Sequence, residues 1–346
     1  MRIFYSSILA LVLVVVGYYF WWNYLADRML VEAEKWRAAR IAEGYEISHK
    51  PLYASGFPYR VAITAEELTI SNPGNDYKPR LEVTRFWAIT QPWRFNHVIY
   101  GTDNSGKLSW EEKGALREMP FTAASILGSA TFNRQGRIRT AALDIKGLEA
   151  VPDWRPPISA ERLQLHGRPK PVADGDKAAS PDPGQQIVLR IDNLLINGME
   201  DFPLGSRIES FDLSTTLHGT IRRLPAAETL HEWRSNGGYV DIDALHLDWG
   251  PGTIDGDGRL ALDALLRPEG IIDTRITGYR EILAALITAG RIDPDAGRTI
   301  SFAIDLLARE DENGRRYIGL PLTADNGGLY LGPVYLLSLR PVAGNN

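Results

Sequence analysis

The sequence predicts a mainly β fold with a few helices: an N-terminal transmembrane helix and stalk, followed by curved antiparallel sheet. Two observations predict it. Seventeen of the twenty residues from Ile3 to Trp22 are hydrophobic and none is charged. Beyond Gly56, apolar residues recur at alternate positions, the period of a strand with one buried and one wet face. Antiparallel sheets tolerate such a face, whereas buried parallel strands read as continuous apolar runs.

Composition narrows the function classes. The 346 residues carry 38 basic and 43 acidic side chains, a net charge of −5, which lacks the basic stripe of a nucleic-acid binder. With no cysteine, a disulfide scaffold, thiolate chemistry and cysteine-ligated metal centres are excluded.

Residues 1–24 form the first element, a signal anchor. Twenty helical residues span about 30 Å, the thickness of a hydrocarbon core. Ile3, Leu9, Leu13 and Val16 belong to its apolar body, while Tyr18, Trp21 and Trp22 crowd the far end, where amphipathic rings favour the headgroup layer. A cleaved secretory peptide would carry a shorter apolar run and a small-x-small site, and Tyr-Tyr-Phe-Trp-Trp resembles no such site. With Arg2 on the inner flank, the rest of the chain is expected outside the cytoplasm. Residues 25–44 read as a helical stalk with Leu25, Met29, Ala33 and Trp36 near one face and Gly44 as its stop.

Residues 45–166 form a first β-rich half, in which Leu81, Val83, Trp87 and Ile89 alternate. Residues 167–186, with four prolines and three glycines, read as a linker or long loop. Residues 187–346 form a second β-rich half. Phe211 to Leu217, Ile254 to Leu262, and Ile300 to Leu306 alternate there, and a phase slip within 240–249 predicts a bulge. Helices are expected over 225–236 and 279–289. Phe57-Pro58 and Phe202-Pro203 open similar passages, so the halves read as two similar β modules.

Catalytic patterns start and fail. Gly101 to Lys107 has phosphate-loop spacing, but Leu108 replaces the Mg²⁺-binding hydroxyl, so a turn at Asp103-Asn104 is the better reading. His231-Glu232 lacks the second histidine of a zinc-protease motif, because position 235 is Ser. Asp255-Gly-Asp257-Gly258 starts like a calcium loop, but Arg259 stands where a carboxylate should bind, and the glycines read as a sheet bend. His218 and His246 fall on polar strand phases and are expected at the wet surface. No catalytic residue, cofactor or metal is expected. The surplus is aromatic and aliphatic: Trp87, Trp110, Trp249, Leu260, Leu262, Phe302 and Ile304 are candidates to line an apolar groove or fill a core.

Ser55-Gly56-Phe57-Pro58-Tyr59-Arg60 resembles the small-residue–Gly-aromatic-Pro-aromatic-Arg element of an uncharacterised Gram-negative envelope family with one N-terminal anchor. Leu247-x-Trp249-Gly250, Gly258-x-Leu260-x-Leu262, Gly270 and Gly278, with Leu320 to Pro333, resemble the cadence of AsmA-like repeats. The resemblance implies an inner-membrane anchor, a periplasmic curved sheet with an apolar groove, and a role in moving lipid for envelope maintenance; it carries no catalytic residue. The expected partners are the membrane, lipid acyl chains and other envelope proteins, with no nucleic acid. The competing readings are a scaffold or assembly factor for envelope proteins, and a hydrolase whose carboxylates meet across the sheet.

Overall fold

The structure is a computed structural model that describes residues 2–75, 77–112, 114–170, 184–219, 221, 227–310 and 314–343. Nineteen strands, all paired antiparallel, and four helices make up these residues. The chain separates into two compact units, residues 1–145 with 149–154, and residues 146–148 with 155–346.

The first unit opens with α1 (Arg2–Ala42), one uninterrupted helix through both the expected anchor and the expected stalk. It is long and apolar enough to cross a membrane. Gly44, at φ +92°, ends it, and the N–H groups of Glu43, Gly44 and Tyr45 cap the last turn. After it come β1 (Glu46–Ser48), β2 (Tyr53–Ser55), β3 (Val61–Ser71), β4 (Arg80–Gln91), β5 (Arg94–Thr102), β6 (Ser105–Glu112), β7 (Ala115–Thr122), β8 (Ser125–Phe132) and β9 (Ile138–Ala150). The two central strands, β3 and β4, are long and forked. β3 takes β2 at its start and β1 at its end. β4 takes β6 at its start and β5 at its end, and β8 extends the second branch.

The inward face of β3 and β4 changes phase midway. Ile63 and Ala65 face inward, then Leu68 and Ile70; opposite them, in register, stand Ala88, Phe86, Val83 and Leu81. Glu67 sits at the change with φ +52°, a left-handed conformation that resets the alternation. Trp87 therefore points away from this face and lies against Gly101, where an added Cβ would come within 2.6 Å of its ring.

The second unit is a meander: β10 (Ile158–Pro169), β11 (Gln185–Ile196), β12 (Arg207–His218), β13 (Tyr239–Trp249), β14 (Gly252–Leu262), β15 (Pro268–Thr277), β17 (Arg316–Asp325), β18 (Gly328–Leu331) and β19 (Val334–Ser338). The short β16 (Arg309–Glu310) pairs with the start of β17. The expected linker falls between β10 and β11, which pair with each other up to Pro169 and Gln185; its residues 171–183 lie outside the described residues. The bulge is present where the phase slips. Ser214 pairs with Ala244 but Thr215 with Ile242, leaving Asp243 unopposed. Across from it, Gly256 and Gly258 of β14 lie so close to β15 that a Cβ on Gly258 would come within 2.2 Å of the Ile271 carbonyl oxygen.

Helices α2 (Ala227–Ser235) and α3 (Tyr279–Thr288) stand where the spacing predicts them. The strand expected over Ile300 to Leu306 is instead part of α4 (Pro294–Leu307), which corrects that expectation. Ile300, Phe302, Ile304 and Leu306 satisfy two helical stripes as well as one strand face, since Ile300/Ile304 and Phe302/Leu306 are each four apart. The deciding signal is at the start: Asp293 accepts from the N–H groups of Asp295 and Ala296, and Pro294 takes the first turn. Ile304 packs on the core around Ile276, Tyr279 and Ile318, whereas Phe302 is 76% and Leu306 78% exposed.

Candidate functional site

In the first unit the sheet does not close on itself; α1 covers it. Trp22, Leu25 and Ala26 bury against Val61 and Ile63, with Met29, Leu30, Leu52 and Ala54 packed around them. The Gly56–Arg60 element secures this seat. Trp22 Nε1 donates to the Arg60 carbonyl at 2.9 Å, and the Tyr18 hydroxyl donates to the Pro58 carbonyl. The Phe57 ring sits among Tyr18, Tyr19 and Trp22, with centroids 5.6–6.2 Å away. Gly56 is obligatory in this turn, since its φ is +101° and a Cβ would meet the Arg60 carbonyl oxygen at 2.8 Å. The Phe57–Pro58 peptide bond is cis. On a second side, Trp21 Nε1 donates to the Pro92 carbonyl in the turn between β4 and β5.

Beyond this seat, α1 and the sheet part to leave an open-mouthed apolar cavity of about 690 Å³, within the range of small-molecule sites. Met29, Ala33 and Trp36 form its helical wall; Ile63, Ala65, Leu68, Ile70, Leu81, Val83, Phe86 and Ala88 form its floor, and residues of β5, β8 and β9 its far side. The few polar side chains on this lining are already engaged. The Tyr100 hydroxyl donates to the Ala142 carbonyl at 3.3 Å, and Thr102 Oγ1 to the Asp103 carbonyl at 2.9 Å. His49 donates from Nδ1 to the Lys50 carbonyl at 2.7 Å. Arg37 Nε pairs with Glu34 at 2.8 Å, and His49 Nε2 lies 4.0 Å from the same carboxylate. The interior thus offers dispersion contacts and dehydration rather than hydrogen bonds, and its one charged corner is the Arg37–Glu34 pair, beside His49.

The residues singled out for a groove or core do not line this cavity. Trp110 stacks edge-on against Trp154 at 4.8 Å, with Arg117 over the Trp154 ring. Trp249 stacks on Phe202 at 4.9 Å and donates from Nε1 to the Gly205 carbonyl. Leu260 and Leu262 are half-buried on β14, and Phe302 and Ile304 lie on opposite sides of α4. The sequence singles out Trp22, Leu25, Met29, Ala33 and Trp36 of α1 and Leu81 and Val83 of β4 among the seat and lining residues, but not Ile63, Ala65, Leu68 and Ile70. Their alternation breaks at Glu67, which hides the shared face.

Two half-buried histidines meet carboxylates in the second unit. His218 Nε2 contacts Asp241 at 3.1 Å, and its ring stacks on Tyr239. His246 lies between Asp255, 2.7 Å from Nδ1, and Asp248, 3.1 Å from Nε2. Hydrogen bonding to Asp255 raises the His246 pKa above its ordinary value, and hydrogen bonding from Thr253 lowers that of Asp248. Among the described residues, no group of three or more acidic or imidazole side chains is placed to hold a metal ion.

A family model described as an uncharacterized protein conserved in bacteria, DUF2125, matches residues 22–340. The match begins at Trp22 and so takes in most of the seat, the cavity and both units. No curated protein and no solved structure matches the chain.

Proposed function

The chain belongs to DUF2125, an uncharacterized bacterial family, and on that premise we propose that it is a membrane-anchored protein of the bacterial inner membrane that holds a lipid acyl chain between α1 and its first sheet. The single observation that carries this reading is the apolar cavity walled by the same helix that is long and apolar enough to cross a membrane. Burying a methylene contributes about 0.8 kcal/mol, so about ten of them supply micromolar affinity before ordering costs. The Arg37–Glu34–His49 corner gives the polar end of such a ligand a charged neighbour.

The bulk of the chain is assigned to the periplasm. Arg2 lies on the inner flank; Arg28, Lys35, Arg37 and Arg40 follow the span, so the assignment rests on the length of the exported part rather than on the flank charges. Long domains translocate largely regardless of charge. An alkaline phosphatase fusion after residue 343 tests this: it is expected to be active in cells, and an inactive, stably made fusion reverses the assignment.

Native mass spectrometry of the full chain, released from detergent, tests the binding reading. A retained adduct of phospholipid or fatty-acid mass is expected. Consistently lipid-free protein, and no uptake of added lauric acid, would overturn it.

A second reading, a scaffold for envelope proteins, is favoured by exposed apolar surface in the second unit. Val334, Tyr335, Leu336 and Leu337 of the edge strand β19 are all exposed, as are Phe302 and Leu306 of α4. Crosslinking from β19 that recovers one defined protein, with the cavity empty, would favour it.

A further inference from the structure

Three turns of the first unit share one end of the sheet. Val61 pairs with Thr90, which places the Gly56–Arg60 turn beside the turn between β4 and β5. His97 pairs with Thr131, which brings the turn between β8 and β9 to the same end. That end is the one clasping α1 at Tyr18, Trp21 and Trp22. Its apolar side chains are bare: Tyr59 is 76% exposed, Trp93 63%, Phe95 64% and Ile138 65%. Its charge has one sign. Arg60, Arg94, Arg134, Arg137 and Arg139 lie in residues 56–60, 91–97 and 131–139, and no Asp or Glu does. None of these five arginines has an ion-pair partner among the described residues.

The length of α1 says what covers this surface. Between the charge of Arg2 and the first clasped residue, Tyr18, the free helix rises about 24 Å. A hydrocarbon core is about 30 Å thick. A clasp standing clear of the bilayer would draw Arg2 a few ångströms into hydrocarbon and leave its side chain to snorkel back to the headgroups. Sinking the clasp by the missing few ångströms instead puts bare aromatic rings at the depth they favour and arginines at the phosphates.

We infer that this end of the first unit is a membrane-docking face, with Tyr59, Trp93, Phe95 and Ile138 inserted in the interface and the five arginines against anionic headgroups. The inference rests on the anchor reading above. It makes the segment beyond residue 24 the wall of a domain resting on the bilayer, not a spacer holding it away.

The chain has no cysteine, so one introduced at a chosen site carries an environment-sensitive fluorophore uniquely. We would place it in the full chain by Trp93→Cys or Phe95→Cys, with Leu13→Cys in the anchor and Ala124→Cys at the far end of β5, about 26 Å away. Each variant is reconstituted in vesicles of phosphatidylcholine with and without one-third phosphatidylglycerol, and quenched with brominated lipid. Quenching of at least half the emission at 93, 95 and 13, with little at 124, is expected, and less at 93 and 95 without phosphatidylglycerol. Quenching at 13 but not at 93 or 95 overturns the docking face and leaves the anchor standing. Loss of quenching at 13 overturns both. Equal quenching at 124 overturns the face by showing adsorption without orientation, and insensitivity to phosphatidylglycerol overturns the role of the arginines.

Discussion

Trp22 donates its indole N–H to the backbone carbonyl of Arg60 across 38 residues of chain, at 2.9 Å. That bond ties the end of the apolar helix to the turn before β3, and the ring beneath it is buried against Val61 and Ile63. Trp22→Phe keeps most of the apolar contact and loses the donor, so a cost of about 1 kcal/mol is expected. Trp22→Ala also empties the seat and should cost about 3–5 kcal/mol. Thermal unfolding of the full chain in one detergent, compared across both variants, reads the difference.

Gly56→Ala tests the turn itself. With φ +101° and the Arg60 carbonyl oxygen 2.8 Å from the added methyl, no relaxed L-residue conformation is available. A loss of about 1–3 kcal/mol is expected. Gly44→Ala, also at positive φ but with open space around it, should cost less; equal losses would show that the close approach to Arg60 is unimportant.

Filling the cavity tests what it holds. Ala33→Phe on α1 and Ala88→Phe on β4 project bulk into space lined by apolar atoms, and neither touches the clasp. The pair is expected to lower affinity for a fluorescent twelve-carbon fatty acid at least tenfold while leaving the melting temperature within a few degrees. Unchanged affinity would place the acyl chain outside the cavity.

The pH response of the second unit has a definite sign. His246 has its pKa raised, chiefly by Asp255, so its contribution is fully present below its ordinary value near 6.5. The contribution is lost as pH rises through the raised value. Asp248 has its pKa lowered, chiefly by Thr253, so its contribution is present above the ordinary carboxylate value and lost as pH falls through the lowered one. The melting temperature should therefore decline on the alkaline side of 6.5, and His246→Gln should flatten that decline. A variant with an unchanged alkaline slope would remove His246 as its source.

Asp293→Ala removes the cap of α4, leaving the N–H groups of Asp295 and Ala296 to water. A loss of about 1 kcal/mol is expected, recovered by Asp293→Asn or Asp293→Ser, which cap comparably.

The parts of this fold that follow from local chemistry were legible in the sequence. The apolar helix and its stop at Gly44, the bulge at Asp243 and helices α2 and α3 each rest on a short pattern with one physical meaning, whereas the turn expected at Asp103-Asn104 is a bend, because β5 and β6 run on in one direction along β4. Ile300 to Leu306 has two meanings, and what decides between them is the Asp293-Pro294 start, which lies outside the alternating run. His246 was placed at the wet surface by its phase, yet the carboxylates that hold it come from its own strand and its neighbour, β14. The cavity was the least legible feature. Its floor depends on a left-handed Glu67 that switches both strands' inward faces together, and its roof on a helix whose packing partners lie some 40 residues away. The family match supports the envelope-type resemblance only as far as an uncharacterized bacterial family. The AsmA-like cadence rests on the glycines and leucines of the second unit alone.

Because α1 runs unbroken from Arg2 to Ala42, its apolar candidate span and the cavity wall are one rod. A membrane-spanning helix answers a change in bilayer thickness by tilting. Here, tilt of the lower part swings Met29, Ala33 and Trp36 against a floor fixed to the sheet. Under the anchor reading, the seat at Trp22, Leu25 and Ala26 is thus the pivot through which movement of the span reaches the cavity wall, with no hinge between them.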